Sequence, residues 1–166
     1  MNYKYFKILK RLFIQKPAPY LIFYVTSRCN ANCKFCFLSD NINNKPELSL
    51  EEIRRFTQSY GKLIQCTLTG GEPFLRADFD KIIELFYLNC NPLYFTIPTN
   101  GSQPERIEKT MDYCSKTFNN SFFRISLSID NIREKHDAIR NCQGLFQNAR
   151  ETFFRLRKLN RKNISV

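Results

Sequence analysis

The sequence has one histidine, two methionines and five glycines in 166 residues, and no apolar run long enough to cross a membrane. The single histidine, His136, leaves imidazole as one ligand or one base at most. No segment has the low complexity of a linker, so a single domain with one core is expected. The amino-terminal stretch is basic, but lysines interrupt its apolar residues every few positions, which argues against a secretory signal. A cytoplasmic protein is expected, because seven cysteines without an export signal read as reduced thiols available for metal.

The charge balance is one-sided, with 26 lysines and arginines against 15 aspartates and glutamates, a net +11. The excess is spread over both ends of the chain with no nucleic-acid motif between them, so it reads as solvated helix faces and nucleic acid is not the expected partner. Residues 1–19 are expected to form a basic helical leader, with Phe6, Leu9 and Phe13 at helical spacing against the core. A helix lying on an anionic membrane is the alternative for this segment.

Against this background, residues 27–40 place three cysteines in eight positions, Cys29-x-x-x-Cys33-x-x-Cys36. A structural zinc site takes four ligands and a disulfide takes an even number, so three thiols leave something open. Cys66, Cys90, Cys114 and Cys142 show no such spacing and read as small buried or half-buried residues.

Four strand-like runs, 20–26, 63–69, 93–99 and 122–129, alternate with helix-like runs, and residues 163–166 begin a fifth strand. Ser49 and Glu52 form a capping box before the helix of residues 50–60. Asp78 begins the next helix, Pro104 opens a third, and residues 144–160 supply a fourth. Strands alternating with helices predict an α/β fold with a parallel sheet. In such folds the working residues follow the carboxyl ends of the strands. The four strands here run into the cysteine loop, residues 69–73 (TGGEP), residues 99–101 (TNG) and residues 128–130 (SID).

Three thiolates on a cubane [4Fe–4S] cluster would leave one iron free to bind a small molecule. Gly70 and Gly71 would let backbone approach a ligand, and Glu72 could accept from an ammonium group. A zinc site completed by a further cysteine or by His136 is the other reading of the three thiols. His136 itself reads as structural, bonding near Asp137; Asp130 either holds substrate or orders its loop; Asn100 shapes the mouth of the site.

With Phe35 preceding the last cysteine and the Gly70-Gly71-Glu72-Pro73 run following, the chain from Tyr20 to Val166 resembles the radical S-adenosylmethionine superfamily. The closer likeness is to the branch of the molybdenum-cofactor enzyme and the peptide-modifying maturases, the SPASM/twitch group. The resemblance implies a partial (βα)6 TIM-like barrel, of which residues 20–166 would supply the first four βα units and the start of strand five. It implies a [4Fe–4S] cluster on Cys29, Cys33 and Cys36, with S-adenosylmethionine chelating the open iron. Phe35 would lie near the adenine, and Gly70, Gly71 and Glu72 at the methionyl amine. Ser128 and Arg140 match positions that bind carboxylate or ribose. An electron donor such as flavodoxin or ferredoxin is implied, with a peptide or small-metabolite substrate.

Two departures stand out. Asn131 and Asn141 occupy positions where relatives usually carry glycine, and asparagine tolerates the left-handed backbone those turns need. The chain also stops at Val166, within the expected fifth strand, so a fragment or a chain completed by a partner is expected.

Overall fold

The computed structural model describes residues 7–9, 11–12 and 19–166. Five strands form one parallel sheet in the order β1 (Tyr20–Thr26), β2 (Gln65–Gly70), β3 (Tyr94–Thr99), β4 (Phe122–Leu127) and β5 (Ile164–Ser165). Helices α1 (Leu50–Tyr60), α2 (Phe79–Cys90), α3 (Pro104–Thr117), α4 (Arg133–Arg140) and α5 (Leu145–Lys158) fill the crossovers. Strand order follows chain order and β1 does not meet β5, so the sheet is the open wall of a partial TIM-like barrel.

Alternation along the strands decides which face the helices cover. Cys66 and Leu68, Phe95 and Ile97, and Phe123 and Ile125 are buried in succession against Ile53, Ile82, Ile83, Phe86, Ile107 and Met111 of the helices. Phe95 and Phe123 sit opposite one another in register and their rings stack at 5.2 Å. Each buried aromatic or branched side chain contributes about 1.5–3 kcal/mol through its removal from water. The other face carries Tyr20, Ile22 and Tyr24 of β1, which are 53%, 64% and 48% exposed. A parallel sheet is ordinarily covered on both sides. Among the described residues the helices pack on one side, and the open side is the one that faces the interior in a barrel.

The capping box forms as expected: Glu52 N–H donates to Ser49 Oγ at 3.2 Å and Ser49 N–H donates to the Glu52 carboxylate at 2.8 Å. Asp78 does precede α2, but its carboxylate caps nothing and instead accepts from Arg76 at 2.8 Å. Arg76 is buried, donating also to the carbonyls of Val25 and Leu48 at 2.6 Å each. This one guanidinium therefore ties the end of β1 to the segment entering α1.

Helix α4 has no counterpart in the sequence expectations. Its eight residues bury only His136 and Arg140, so no apolar stripe announces it. Of the leader, residues 7–9 and 11–12 are helical, and the Arg11 guanidinium donates to the Leu63 carbonyl, which ties this segment to the residues entering β2. Leu9 is exposed, and Phe6 and Phe13 lie outside the described residues. Among the described residues no helix is long and apolar enough to cross a membrane.

Candidate active site

Because the strands are parallel, all their carboxyl ends share one rim. The cysteine loop leaves β1 there and is held at four places. Asn43, with φ 59° in the left-handed region, accepts the Cys29 N–H at 3.0 Å through its side-chain oxygen and returns its amide to the Cys29 carbonyl at 3.3 Å. Asn30 Oδ1 accepts from Asn100 Nδ2 at 2.9 Å and from Ser102 Oγ at 3.2 Å, which docks the loop on the end of β3. Asn32 N–H donates to the Arg140 carbonyl at 3.1 Å, which docks it on the end of α4. Arg28 and Glu47 close the loop's two ends with a pair of hydrogen bonds at 2.8 and 3.0 Å.

These anchors turn Cys29, Cys33 and Cys36 toward a cavity of about 210 Å³. Its walls also carry Phe35, Gly70, Gly71, Thr99, Ser128 and Arg140, so four strand ends meet at one place. All seven cysteines are free thiols. Burial pushes the Cys29 and Cys33 thiols above their usual range, and the Arg140 guanidinium partly opposes this at Cys33. A metal would deprotonate them on binding. Among the described residues no three histidine, cysteine or acidic side chains gather tightly enough for a single ion. A cubane takes its thiolates on different irons and so needs them further apart. Two larger cavities, of about 510 Å³ beside Tyr24 and Glu47 and about 650 Å³ beside Arg106 and Glu151, contain no thiol.

The glycine pair is required by the chain itself. A Cβ on Gly70, at φ 140°, would lie 2.1 Å from the Thr26 carbonyl oxygen, and one on Gly71 would lie 2.2 Å from that of Arg28. Gly71 N–H donates to Thr26 O at 2.9 Å and Glu72 N–H to Arg28 O at 2.8 Å. The loops leaving β1 and β2 thus run in backbone contact, which leaves Gly70 and Gly71 exposing bare backbone to the cavity.

Glu72 is not on the cavity wall. It is buried behind the rim, where Oε1 accepts from Thr99 Oγ1 at 2.7 Å and Phe74 N–H at 3.2 Å, and Oε2 accepts from Asn100 N–H at 2.7 Å. Burial raises its pKa to about 7, although these hydrogen bonds and Arg140 pull the other way. The expectation of an ammonium-binding side chain therefore meets a carboxylate already committed to joining β2 to β3.

Arg140 Nε donates to Asp130 Oδ2 at 2.7 Å, and its guanidinium carbon lies 5.8 Å from the centre of the Phe35 ring. This bond ties the loop after β4 to the end of α4. His136 is buried and accepts the Asp130 backbone N–H, while the neighbouring Asp137 accepts from Gly144 and Phe146 N–H at 2.6 and 2.8 Å and caps α5. Asn141 adopts the left-handed backbone expected of it, with φ 47°. Asn131 does not; it bonds the Ile132 N–H through its side chain, and the positive φ falls on Arg133 at 50°. Cys66, Cys90 and Cys114 are buried and Cys142 is half-buried. Asn30, Asn43 and Ser102 are not legible as site residues in the sequence, since single polar residues in a loop show no period.

The Radical SAM superfamily profile matches residues 23–166. A GTP 3',8-cyclase from Cronobacter sakazakii is 40% identical over 88 residues, which cover 49% of this chain and 27% of that protein. The chain thus matches about a quarter of that relative's length. With the profile spanning the end of β1, all of β2 to β5 and every strand-end motif, the chain belongs to the Radical SAM superfamily, an enzyme family that generally uses a [4Fe–4S] cluster and S-adenosylmethionine.

Proposed function

We propose that Cys29, Cys33 and Cys36 ligate a [4Fe–4S] cluster whose fourth iron is left for S-adenosylmethionine. The observation that carries this reading is the convergence of three free thiols and the bare backbone of Gly70 and Gly71 on one cavity. The donor set suits the group, since thiolates are the usual ligands of iron–sulfur clusters. A cluster held there would, when reduced, supply the single electron for splitting S-adenosylmethionine into methionine and a 5′-deoxyadenosyl radical that could take hydrogen from a substrate.

The chain's own residues do the holding and orienting. Gly70 and Gly71 offer peptide groups to the cofactor's amine, at a place where any side chain would strike the loop leaving β1. Arg140 offers its guanidinium, and Ser128 its hydroxyl, to a carboxylate or ribose. Phe35 offers an exposed ring for the adenine, with the Arg140 guanidinium over its face. Glu72 is a positioning residue, since its carboxylate sets the distance between the ends of β2 and β3.

The free thiols support a reducing, cytoplasmic setting, with a flavodoxin- or ferredoxin-type electron donor. Of the two substrate classes, a relative named for acting on GTP supports a small metabolite over a peptide.

Anaerobic reconstitution with iron and sulfide, then electron paramagnetic resonance with and without S-adenosylmethionine, tests the reading. A reduced [4Fe–4S] signal that shifts on adding the cofactor is expected. It should vanish in Cys29→Ala, Cys33→Ala and Cys36→Ala and persist in Cys142→Ala. A signal indifferent to the cofactor would sink the open-iron site, and zinc with no cluster would sink the enzyme reading.

A further inference from the structure

The five-residue run His136-Asp137-Ala138-Ile139-Arg140 ends α4, and its two outer residues lie four positions apart, on one face of the helix. They are the only buried residues of α4. His136 Nδ1 accepts the backbone N–H of Asp130 at 3.3 Å, and the Asp130 carboxylate in turn accepts from Arg140 Nε at 2.7 Å. Arg140 reaches the cavity wall over Phe35, and its carbonyl receives the Asn32 N–H of the cysteine loop.

We propose that His136 is a positioning residue for Arg140: by holding the Asp130 backbone it places the carboxylate that fixes the guanidinium at the cofactor cavity. The inference rests on the proposed function only in taking Arg140 to face the cofactor.

The chemistry of the ring supports an acceptor role. Because Nδ1 accepts, the proton of the neutral ring belongs on Nε2. Nε2 is buried and has no hydrogen-bond partner among the described residues. A buried N–H without a partner is a cost that leucine or phenylalanine would not carry. Simple core filling would therefore be served better by an apolar residue, whereas an acceptor for Asp130 N–H requires a polar side chain at this position. The charged groups around the ring are Arg140, Asp130 and Asp137, and burial first and Arg140 second lower its pKa, which keeps it neutral. The Phe146 ring of α5 packs edge-on at 5.9 Å and sets its plane.

The chain has one imidazole, so its nitrogen resonances are unambiguous in tag-free, 15N-labelled protein. The wild-type spectrum should show a neutral ring protonated at Nε2; a ring protonated at Nδ1 would overturn the proposal without any variant having to fold. The Arg140 Nε–H resonance should move in His136→Leu and return in His136→Asn, whose amide oxygen can replace Nδ1 as acceptor. An unmoved resonance in His136→Leu would equally overturn it.

In reconstituted protein, His136→Leu should weaken S-adenosylmethionine binding about tenfold, with His136→Asn within about threefold of wild type. On an Arg140→Ala background, His136→Leu should add nothing. An equal loss with and without Arg140 would mark His136 as merely structural. If Arg140→Ala leaves cofactor affinity unchanged while the Arg140 resonance still follows His136, the cofactor role of Arg140 fails and the positioning link stands.

Discussion

Glu72 at the exit of β2 accepts the backbone N–H of Asn100 at the exit of β3, at 2.7 Å. The same carboxylate takes the Thr99 hydroxyl, and Asn100 in turn holds Asn30 of the cysteine loop. One buried acid therefore links the ends of three strands: β2 that carries it, β3 that it binds, and β1 through the loop.

That acid makes stability depend on pH with a definite sign. Burial raises the Glu72 pKa from 4.5 to about 7, so the folded chain holds the proton over a range where the unfolded chain has lost it. Its contribution is fully present below pH 4.5 and is lost as pH rises through about 7. Urea midpoints of the wild type and Glu72→Gln should therefore converge from pH 4.5 toward 7. A wild-type advantage that grows with pH would show that the fold prefers the ionised acid.

The glycine pair and Gly144 separate two kinds of glycine requirement. Gly144 has φ 74°, but a methyl group there would meet nothing within 4 Å, so Gly144→Ala should cost only the left-handed backbone, about 1 kcal/mol. Gly71→Ala meets a backbone oxygen at 2.2 Å that no side-chain rotation relieves. A loss of about 3 kcal/mol or more is expected, within the range of severe core substitutions. Denaturant unfolding of the two variants checks the order; equal losses would mean that the loops leaving β1 and β2 do not touch.

Asn43 supports Cys29 by two bonds and by its left-handed backbone, and the two parts can be separated. Asn43→Gly removes the bonds alone, at about 1 kcal/mol in total for a partly exposed pair. Asn43→Ala adds about 1 kcal/mol of backbone strain. Thermal melting should rank wild type above Gly above Ala, and both variants should retain less iron after reconstitution. Full iron retention in both would show that Cys29 does not need this anchor.

The elements with a strong period are legible in the sequence. Strands β1 to β4 alternate or run apolar, α1 announces itself by Ser49 and Glu52, and the strand-end motifs lie where a parallel sheet brings loops together. Helix α4 is not legible, because its buried residues are a histidine and an arginine, types that apolar periodicity does not count. Glu72 stands out in the sequence yet reads there as a ligand contact, because a sequence cannot show that Thr99 and Asn100 already satisfy it. Gly70 and Gly71 read as room for a ligand, when the first thing that needs the room is the loop leaving β1.

By itself the sequence determined the local matters: the alternation that makes strands, the caps that start helices, and the spacing that puts three thiols in one short loop. Those depend on neighbours within a few residues and on side-chain period. Tertiary structure decided which polar groups satisfy one another across long separations, such as Glu72 with Asn100, Asn30 with Ser102, and Asp130 with Arg140 beneath the cysteine loop. A buried donor or acceptor must find a partner, and the partner is whatever the packed chain brings within about 3 Å.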